Sequence, residues 1–396
     1  MVRILFVDDD PCVLQGLERL LHNMRNEWEM HFVQSAKEGL DLVSQSDYDV
    51  VVSDIQMPEM DGIQFLSELK IHHPRIVRIA LSGHAERRAI IKSLGYTHRF
   101  LSKPCEPDTL KSTVTTACAL RDLLDSEHLR EVVTGMDVLP SSSIISQELN
   151  KELEKPEPSI ARIGATIEKD PAITAKILQM SNSAFFGVRQ RVSDAAQAVS
   201  ILGIDSIKML LSITEVFSSF ASKKTNAVDI EQIYEHSLRV GSLVRVLLKA
   251  ERFDVQATEE TIASGLLHDI GKLVLAWKSP DDYHKAMNIA KSDDCHSYSA
   301  EKAVFNATHA EVGAYLLGLW GLPETIVEII AFHHKLDNSG ATTFNPLIAV
   351  HFADAYDHAA NGHNLENYLD MEYLMNIGLT ERIPQWRDSC DELQLI

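Results

Sequence analysis

The residue types able to do chemistry fall into two groups along this 396-residue chain. In the first group, each polar residue sits at the end of a short β-branched run. Asp8 and Asp9 follow Arg3–Val7, Asp54 follows Val50–Ser53, Ser82 follows Val77–Leu81, and Lys103 comes just after Arg99–Leu101. If these runs are parallel strands of one sheet, their carboxyl ends share the edge where such sheets bind ligands. Carboxylates brought together there repel one another and raise each other's pKa unless a hard divalent cation such as Mg2+ neutralises them through oxygen ligands. A carboxylate held beside that cation is a nucleophile toward phosphorus and forms an aspartyl-phosphate. Lys103 and the Ser82 hydroxyl would supply charge and a hydrogen bond to the transferred oxygens.

The second group is made of histidines and aspartates. His268-Asp269 follows Gly265-Leu266-Leu267 and precedes Ile270-Gly271-Lys272, so an apolar segment delivers an imidazole and a carboxylate side by side into an interior. Burying that pair is costly without a metal ion or hydrogen-bond partners. His236 in YEHSLRVG, His309 in NATHAEVG, the pair His333-His334 in AFHHK and Asp354 in HFADAYDH also lie among small or apolar residues, each on an expected helix. Mixed imidazole and carboxylate donors suit Fe, Mn, Zn or Ni rather than Ca. Lys272 is a candidate phosphate ligand.

The elements that must position these residues change character along the chain. Five strand-like runs, Arg3–Val7, Met30–Val33, Val50–Ser53, Val77–Leu81 and Arg99–Leu101, alternate with helical stretches signalled by Pro11, Ala36–Gln45, Gly62–Ile71, Ala85–Leu94 and Pro107–Leu124. That alternation predicts a doubly wound α/β domain with a five-stranded parallel sheet over residues 1–124. Residues 125–138 read as a helical linker that extends the fifth helix as far as Glu131, before Pro140 and Ser141–Ser143 break it. From 139 to 373 the pattern is helical, with restarts at Asp170-Pro171, Asp205, Asp229 and Pro323, which predicts an all-α domain. Residues 374–396 read as a C-terminal tail.

Composition excludes some function classes. Lys+Arg 37 against Asp+Glu 57 gives a net charge of −20, which repels a phosphate backbone, so direct DNA binding is not expected. No apolar run is long enough for a signal peptide or a membrane span, so a cytoplasmic location without membrane association is expected. The five cysteines form no C-x-x-C pair and suit a reducing compartment.

The string VVSDIQMPEMDG at Val51–Gly62, with FVDDD at Phe6–Asp10, ALSG at Ala80–Gly83 and FLSKP at Phe100–Pro104, resembles the receiver family of two-component signalling. The resemblance implies a flavodoxin-like receiver phosphorylated on Asp54, with Mg2+ held by Asp8, Asp9 and Asp54. It also implies that Ser82 and Lys103 sense the phosphoryl group, that Phe100 is the switch aromatic, and that the Lys103-Pro104 peptide is cis.

GLLHDIGK around His268 is similar to the HD phosphohydrolase superfamily. By that resemblance His236, His268, Asp269 and Asp354 form a first metal set, and His309, His333 and His334 serve a second ion. LPSSSII at Leu139–Ile145, EKDPAITAKILQMSNSAFFG at Glu168–Gly187 and AVSILGIDSIKMLL at Ala198–Leu211 resemble more specifically the HDOD domain, a regulatory branch of that superfamily. The related HD-GYP class of cyclic di-GMP phosphodiesterases shares HDIGK and carries an Asp-Gly-x-Gly-Tyr-Pro segment after its double histidine. Here the corresponding residues, Asp337-Asn338-Ser339-Gly340-Ala341, lack the Tyr-Pro.

The expectation is a response regulator of a phosphorelay, served by a cognate sensor histidine kinase and acting on a downstream signalling protein through a metal-binding HDOD domain. In the helix after Pro107, Leu110, Val114, Ala117, Leu120 and Leu124 form an apolar stripe, which leaves a homodimer open. The alternative is a metal-dependent phosphodiesterase acting on a cyclic dinucleotide such as cyclic di-GMP, in which two ions activate a water.

Overall fold

The computed structural model describes residues 1–82, 96–119, 124, 126–136, 139–182, 191–208, 211, 230–253, 255–293, 295–339, 342–360 and 364–394. The chain divides into two compact units, one built mainly on Met1–Val138 and the other mainly on the residues from Leu139 onward.

In the first unit, strands β1 (Val2–Val7), β2 (Trp28–Val33), β3 (Val50–Asp54), β4 (Val77–Ser82) and β5 (Arg99–Ser102) form one all-parallel sheet in the order β2-β1-β3-β4-β5. Ile4, Leu5, Phe6, Val50, Val51, Val52, Val77 and Ile79 are all fully buried. Helices cover both faces of such a sheet, which explains why its strands read as continuous apolar runs rather than alternating ones. The connecting helices are α1 (Pro11–Leu20), α2 (Ala36–Gln45) and α3 (Gly62–His72), followed after β5 by α4 (Pro107–Ala119). Each of the first three begins on a side-chain cap: the carboxylate or hydroxyl of Asp10, Ser35 and Asp61 accepts from the backbone N–H of Cys12, Glu38 and Gln64. The helix expected over Ala85–Leu94 lies outside the described residues.

The continuous helix expected through Glu131 is a correction. A separate helix, α5 (Glu127–Thr134), starts on Ser126, whose hydroxyl accepts from Leu129 N–H. It is fastened to the sheet edge. Arg75 pairs with Glu127 and Glu131, while the buried Arg78 guanidinium and His98 Nε2 both bond the carbonyl of Thr134.

The second unit is helical: α6 (Ser143–Leu153), α7 (Ile160–Ile167), α8 (Pro171–Ser181), α9 (Ala195–Leu202), α10 (Ile230–Ala250), α11 (Val255–Leu267), α12 (Ile270–Lys278), α13 (Pro280–Ser292), α14 (Ser297–Phe305), α15 (His309–Leu319), α16 (Glu324–Phe332), α17 (Pro346–Ala360), α18 (Leu365–Tyr368), α19 (Met371–Asn376) and α20 (Ile383–Gln394). The expected restart at Asp170-Pro171 is the capped start of α8, and Pro323 is the N-cap of α16; Asp229 lies outside the described residues. Helix α17 is buried without a break from Leu347 to Asp357, the mark of a helix at the centre of a core. It packs on α10 and α11, and α10 also receives α20.

Residues 374–396 are therefore more than a tail. Trp386 of α20 is fully buried and donates Nε1–H to Glu251, which also takes Arg382. The segment reads as uninformative in sequence because its apolar contribution is concentrated in single residues such as Trp386 and Cys390 rather than in a periodic stripe. Among the described residues, no helix is long and apolar enough to cross a membrane.

Candidate functional site

Sheet register alone brings the acidic group together. Val7 lies opposite Ser53, Asp54 opposite Leu81, and Ser82 opposite Ser102, so the residues that leave β1, β3, β4 and β5 emerge at one edge. Carboxylate oxygens of Asp8, Asp9 and Asp54 lie within 4.8 Å of one another. Lys103 Nζ is 2.6 Å from Asp8 Oδ2 and 2.7 Å from Asp54 Oδ2. Burial pushes the Asp8 carboxyl up despite Lys103. Burial also works against the Lys103 ammonium, but the Asp54 and Asp8 carboxylates more than offset it, so its pKa is raised. Asp54 Oδ1 accepts from Ile55 N–H at 2.7 Å.

The Ser82 hydroxyl is buried and makes no hydrogen bond among the described residues. Phe100 is buried on β5 next to Ala80, and the Lys103-Pro104 peptide is cis. Gly62 has to be glycine: a Cβ there would lie 1.9 Å from the Asp54 carbonyl oxygen, where the start of α3 crosses the end of β3. Beside the cluster an open cavity of about 470 Å³, lined by Asp9, Ile55, Met57, Pro58 and Asp61, gives access from solvent.

The histidines converge in the second unit. His236 projects from α10, His309 opens α15 and Asp354 lies on α17. The expectation that every member sits on a helix is corrected for two pairs. His268-Asp269 occupies the break between α11 and α12, and His333-His334 the turn after α16. A helix end lets two consecutive side chains turn the same way, which a helix interior, with about 100° per residue, does not. The break is packed tightly, since a Cβ on Gly271 would lie 2.0 Å from the His309 carbonyl oxygen.

Three donor groups each have ligand atoms within 4.8 Å: His236, His268 and Asp354; His268, Asp269 and His333; and His309, His333 and His334. His236 Nε2 is 3.2 Å from His268 Nε2 and 3.1 Å from Asp354 Oδ1. His309 Nε2 is 3.2 Å from Asp269 Oδ1 and 3.0 Å from His334 Nε2. Lys272, expected as a phosphate ligand, is turned onto Asp269 instead, with Nζ 2.6 Å from Oδ2.

The donor set fits a cation. His268 Nδ1 is 2.8 Å from the Gly265 carbonyl and His333 Nδ1 2.7 Å from the Ile330 carbonyl; each Nδ1 must carry the proton, because a carbonyl only accepts. His236 Nδ1 faces Asp357 and His309 Nδ1 faces Glu301 in the same way. Neutral imidazoles so held point Nε2 lone pairs inward. The His236 and His268 Nε2 atoms then confront each other at 3.2 Å, an arrangement that needs a proton or a metal ion nearby. Asp269 Oδ1, Asp354 Oδ1 and His333 Nε2 are buried and complete no hydrogen bond.

With protons as the only cations, burial disfavours charge on His236, but Asp354 and Asp357 push it up to about 9. Burial likewise opposes charge on His309, which Glu301 and Asp269 push up to about 9. His333 and His334 are driven well below the usual range by burial and by the neighbouring imidazoles. Asp269 and Asp354 are held well below theirs: burial acts against this, but His268 and Lys272 prevail on Asp269, and His236, His268 and His358 on Asp354.

Sequence reasoning missed Asp357, Glu301 and His358. His358 stands four residues after Asp354 on α17 with Nε2 3.4 Å from its Oδ1, so an i, i+4 reading of HFADAYDH would have found it. Glu301, on α14, had no local signal.

The HDOD domain model matches residues 139–336, and the response regulator receiver domain model matches residues 4–115. An uncharacterized protein of Treponema pallidum is 30% identical over 221 residues, which are 55% of this chain and 42% of that protein. The chain thus spans about two fifths of that relative's length. Cell cycle response regulator CtrA of Brucella anthropi is 25% identical over 178 residues, 43% of this chain and 74% of that protein. Among solved structures, the MmoQ response regulator from Methylococcus capsulatus is 22% identical, covers 63% of this chain and 98% of its own, and superposes with a TM-score of 0.48. An HDOD domain protein from Geobacter sulfurreducens is 22% identical, covers 72% of this chain and 100% of its own, and gives 0.36.

Proposed function

Since the chain belongs to the HDOD domain family and carries a receiver domain ahead of that domain, we propose that it is a response regulator, phosphorylated on Asp54, which signals through protein contacts of a metal-holding HDOD domain. The observation that carries the reading is the Asp54 carboxylate. It faces Lys103 at 2.7 Å, shares its edge with Asp8 and Asp9, and has the unbonded Ser82 hydroxyl on the neighbouring strand.

Receiver domains bind Mg2+, and Asp8, Asp9 and Asp54 are the residues to hold it; the ion supplies charge neutralisation for the incoming phosphoryl oxygens. Asp54 attacks the phosphorus of a donor, which a sensor histidine kinase presents, and the aspartyl-phosphate forms as the donor's bond breaks. Phosphorylation adds nearly two negative charges and new acceptor oxygens. Lys103 is already in place to meet them, the Ser82 hydroxyl is free to donate, and Phe100, buried beside Ala80, is the aromatic whose packing a shift of the β4 end would change, as the switch.

In the HDOD domain, His236, His268, Asp269 and Asp354 hold one transition-metal ion, and His309, His333 and His334 hold a second, from Fe, Mn, Zn or Ni. Lys272 neutralises Asp269 there rather than waiting for a phosphate. His268, His309 and His333 are fully buried, which favours a held ion that stiffens the helices over a centre that turns substrate over. The output is read by a downstream protein and not by DNA, in keeping with the net charge of −20.

Incubating the purified full chain with Mg2+ and acetyl phosphate, then measuring intact mass and metal content, tests this. One phosphoryl group on the wild type, none on Asp54→Asn, and bound transition metal in both are expected. An Asp54→Asn chain phosphorylated like wild type, or a wild type free of transition metal, would contradict it.

A further inference from the structure

The four buried imidazoles of the His/Asp centre are not supported alike. His268 and His333 lean on backbone carbonyls of the helices that precede them, those of Gly265 and Ile330, three residues earlier. That support comes with the helix and is not a choice of side chain. His236 and His309 lean instead on carboxylates from other elements. Asp357 Oδ2 is 2.8 Å from His236 Nδ1, across from α17 to α10. Glu301 Oε2, on α14, is 2.7 Å from His309 Nδ1 and also accepts His309 N–H at 2.7 Å.

Both carboxylates are specifically held or specifically isolated. Asp357 receives Arg239 in a two-point contact, Nε to Oδ1 at 2.6 Å and Nη2 to Oδ2 at 3.1 Å. Glu301 is 0% exposed, and its second oxygen, Oε1, makes no hydrogen bond. A buried glutamate with an oxygen left over is costly unless its charge is used. His309 is the group it faces.

A carboxylate behind an imidazole does two things. It fixes the tautomer, keeping the proton on Nδ1, and it raises the electron density delivered at Nε2. Here one such pair stands among the donors His236, His268 and Asp354, and the other among His309, His333 and His334.

We propose that Asp357 and Glu301 are the positioning residues of this centre, one for each ion, and that Arg239 in turn holds Asp357 in register. The inference rests on the metal reading above and extends it to groups that touch no metal. Arg239 is about half exposed, with a side-chain accessibility of 46%, so the chain Arg239, Asp357, His236 runs from the surface to the centre. An ordinary ion pair between Asp357 and Arg239 would not need the imidazole.

Cobalt(II) is the probe, because its visible absorption reports the ligand field directly. The full chain, purified without metal, is titrated with Co2+ against a competing chelator. The wild type, Asp357→Asn, Asp357→Glu, Glu301→Gln and Glu301→Asp are compared, with unfolding midpoints measured in parallel. Asparagine or glutamine can offer its amide N–H to Nδ1 and so favour the tautomer whose Nε2 carries the proton. Each amide variant is expected to weaken one of two Co2+ sites by about 10–100-fold and to shift its absorption bands, leaving the other site intact. The charge-keeping variants Asp357→Glu and Glu301→Asp are expected to recover most of the affinity and the wild-type spectrum. Should one amide variant fail to fold, the other, in a separate helix, carries the same test. Two sites of wild-type affinity and spectrum in Asp357→Asn and Glu301→Gln would overturn the inference alone. A wild type that binds no Co2+ would overturn the metal reading and the inference together.

Discussion

Lys103 meets the repulsion among the receiver carboxylates with an ammonium 2.6 Å and 2.7 Å from two of them, whereas in the His/Asp centre, when no metal ion is bound, the carboxylates raise His236 and His309 toward protonation. That difference has a measurable consequence. Both imidazoles are raised above the ordinary value to about 9, so each is protonated at neutral pH in the absence of a competing cation. A metal ion at Nε2 must displace those protons. Affinity for Co2+ or Zn2+ is therefore expected to weaken as pH falls below about 9, by up to about tenfold per pH unit for each proton displaced. Competition titrations from about pH 9 down to about pH 6.5 check it; a flat profile would mean that protons do not occupy the donor atoms. At this scale the sequence was legible wherever a residue closes a strand or lies in a compact motif. Asp8, Asp9, Asp54, Ser82 and Lys103 are adjacent in space because parallel strands end together, and HDIGK names its own pair. Glu301 and Asp357 were not legible, because their role lies in a contact between helices 8 and 121 residues apart in sequence from the histidines they serve.

The elements explain why the motifs contain the small residues they do. Gly271 follows the His268-Asp269 pair because α12 must start against the first residue of α15, and Gly313 lies in the same crossing, where a Cβ on it would come 3.1 Å from the Gly271 backbone nitrogen. Gly271→Ala would drive a methyl group into the His309 carbonyl oxygen, an atom that cannot move without carrying His309 with it. The substitution is expected to destabilise the chain by about 1–3 kcal/mol and to lower metal occupancy at the His309 set. Denaturant midpoints with metal analysis on the same samples check both effects; unchanged values would show that the two helices are free to separate. The five strands were readable as β-branched runs, and their observed ends differ from expectation by a residue or two. The α4–α5 boundary was not, because the apolar spacing continues through Leu124 while the Ser126 cap restarts the helix. Helix α20 escaped notice because a single buried tryptophan and a buried cysteine do the work that a stripe does elsewhere.

For the whole molecule, the receiver and HDOD family matches cover residues 4–115 and 139–336, and helix α5 between them is fastened to the sheet edge of the first unit by Arg75, Arg78 and His98. In the proposed reading a signal that begins at Asp54 on β3 would pass to the ends of β4 and β5, and Arg78 and His98 lie on or beside those strands. The central claim is that charge placed on Asp54 changes the state of the HDOD domain. Hydrogen–deuterium exchange of the metal-loaded full chain, with and without acetyl phosphate and Mg2+, in the wild type and in Asp54→Asn, tests it most directly. Altered protection in peptides from residues 139–394 as well as in β4, β5 and α5, in the wild type alone, is the expected result. Phosphorylation of Asp54 that changes exchange only within residues 1–138, or equal changes in Asp54→Asn, would contradict the account.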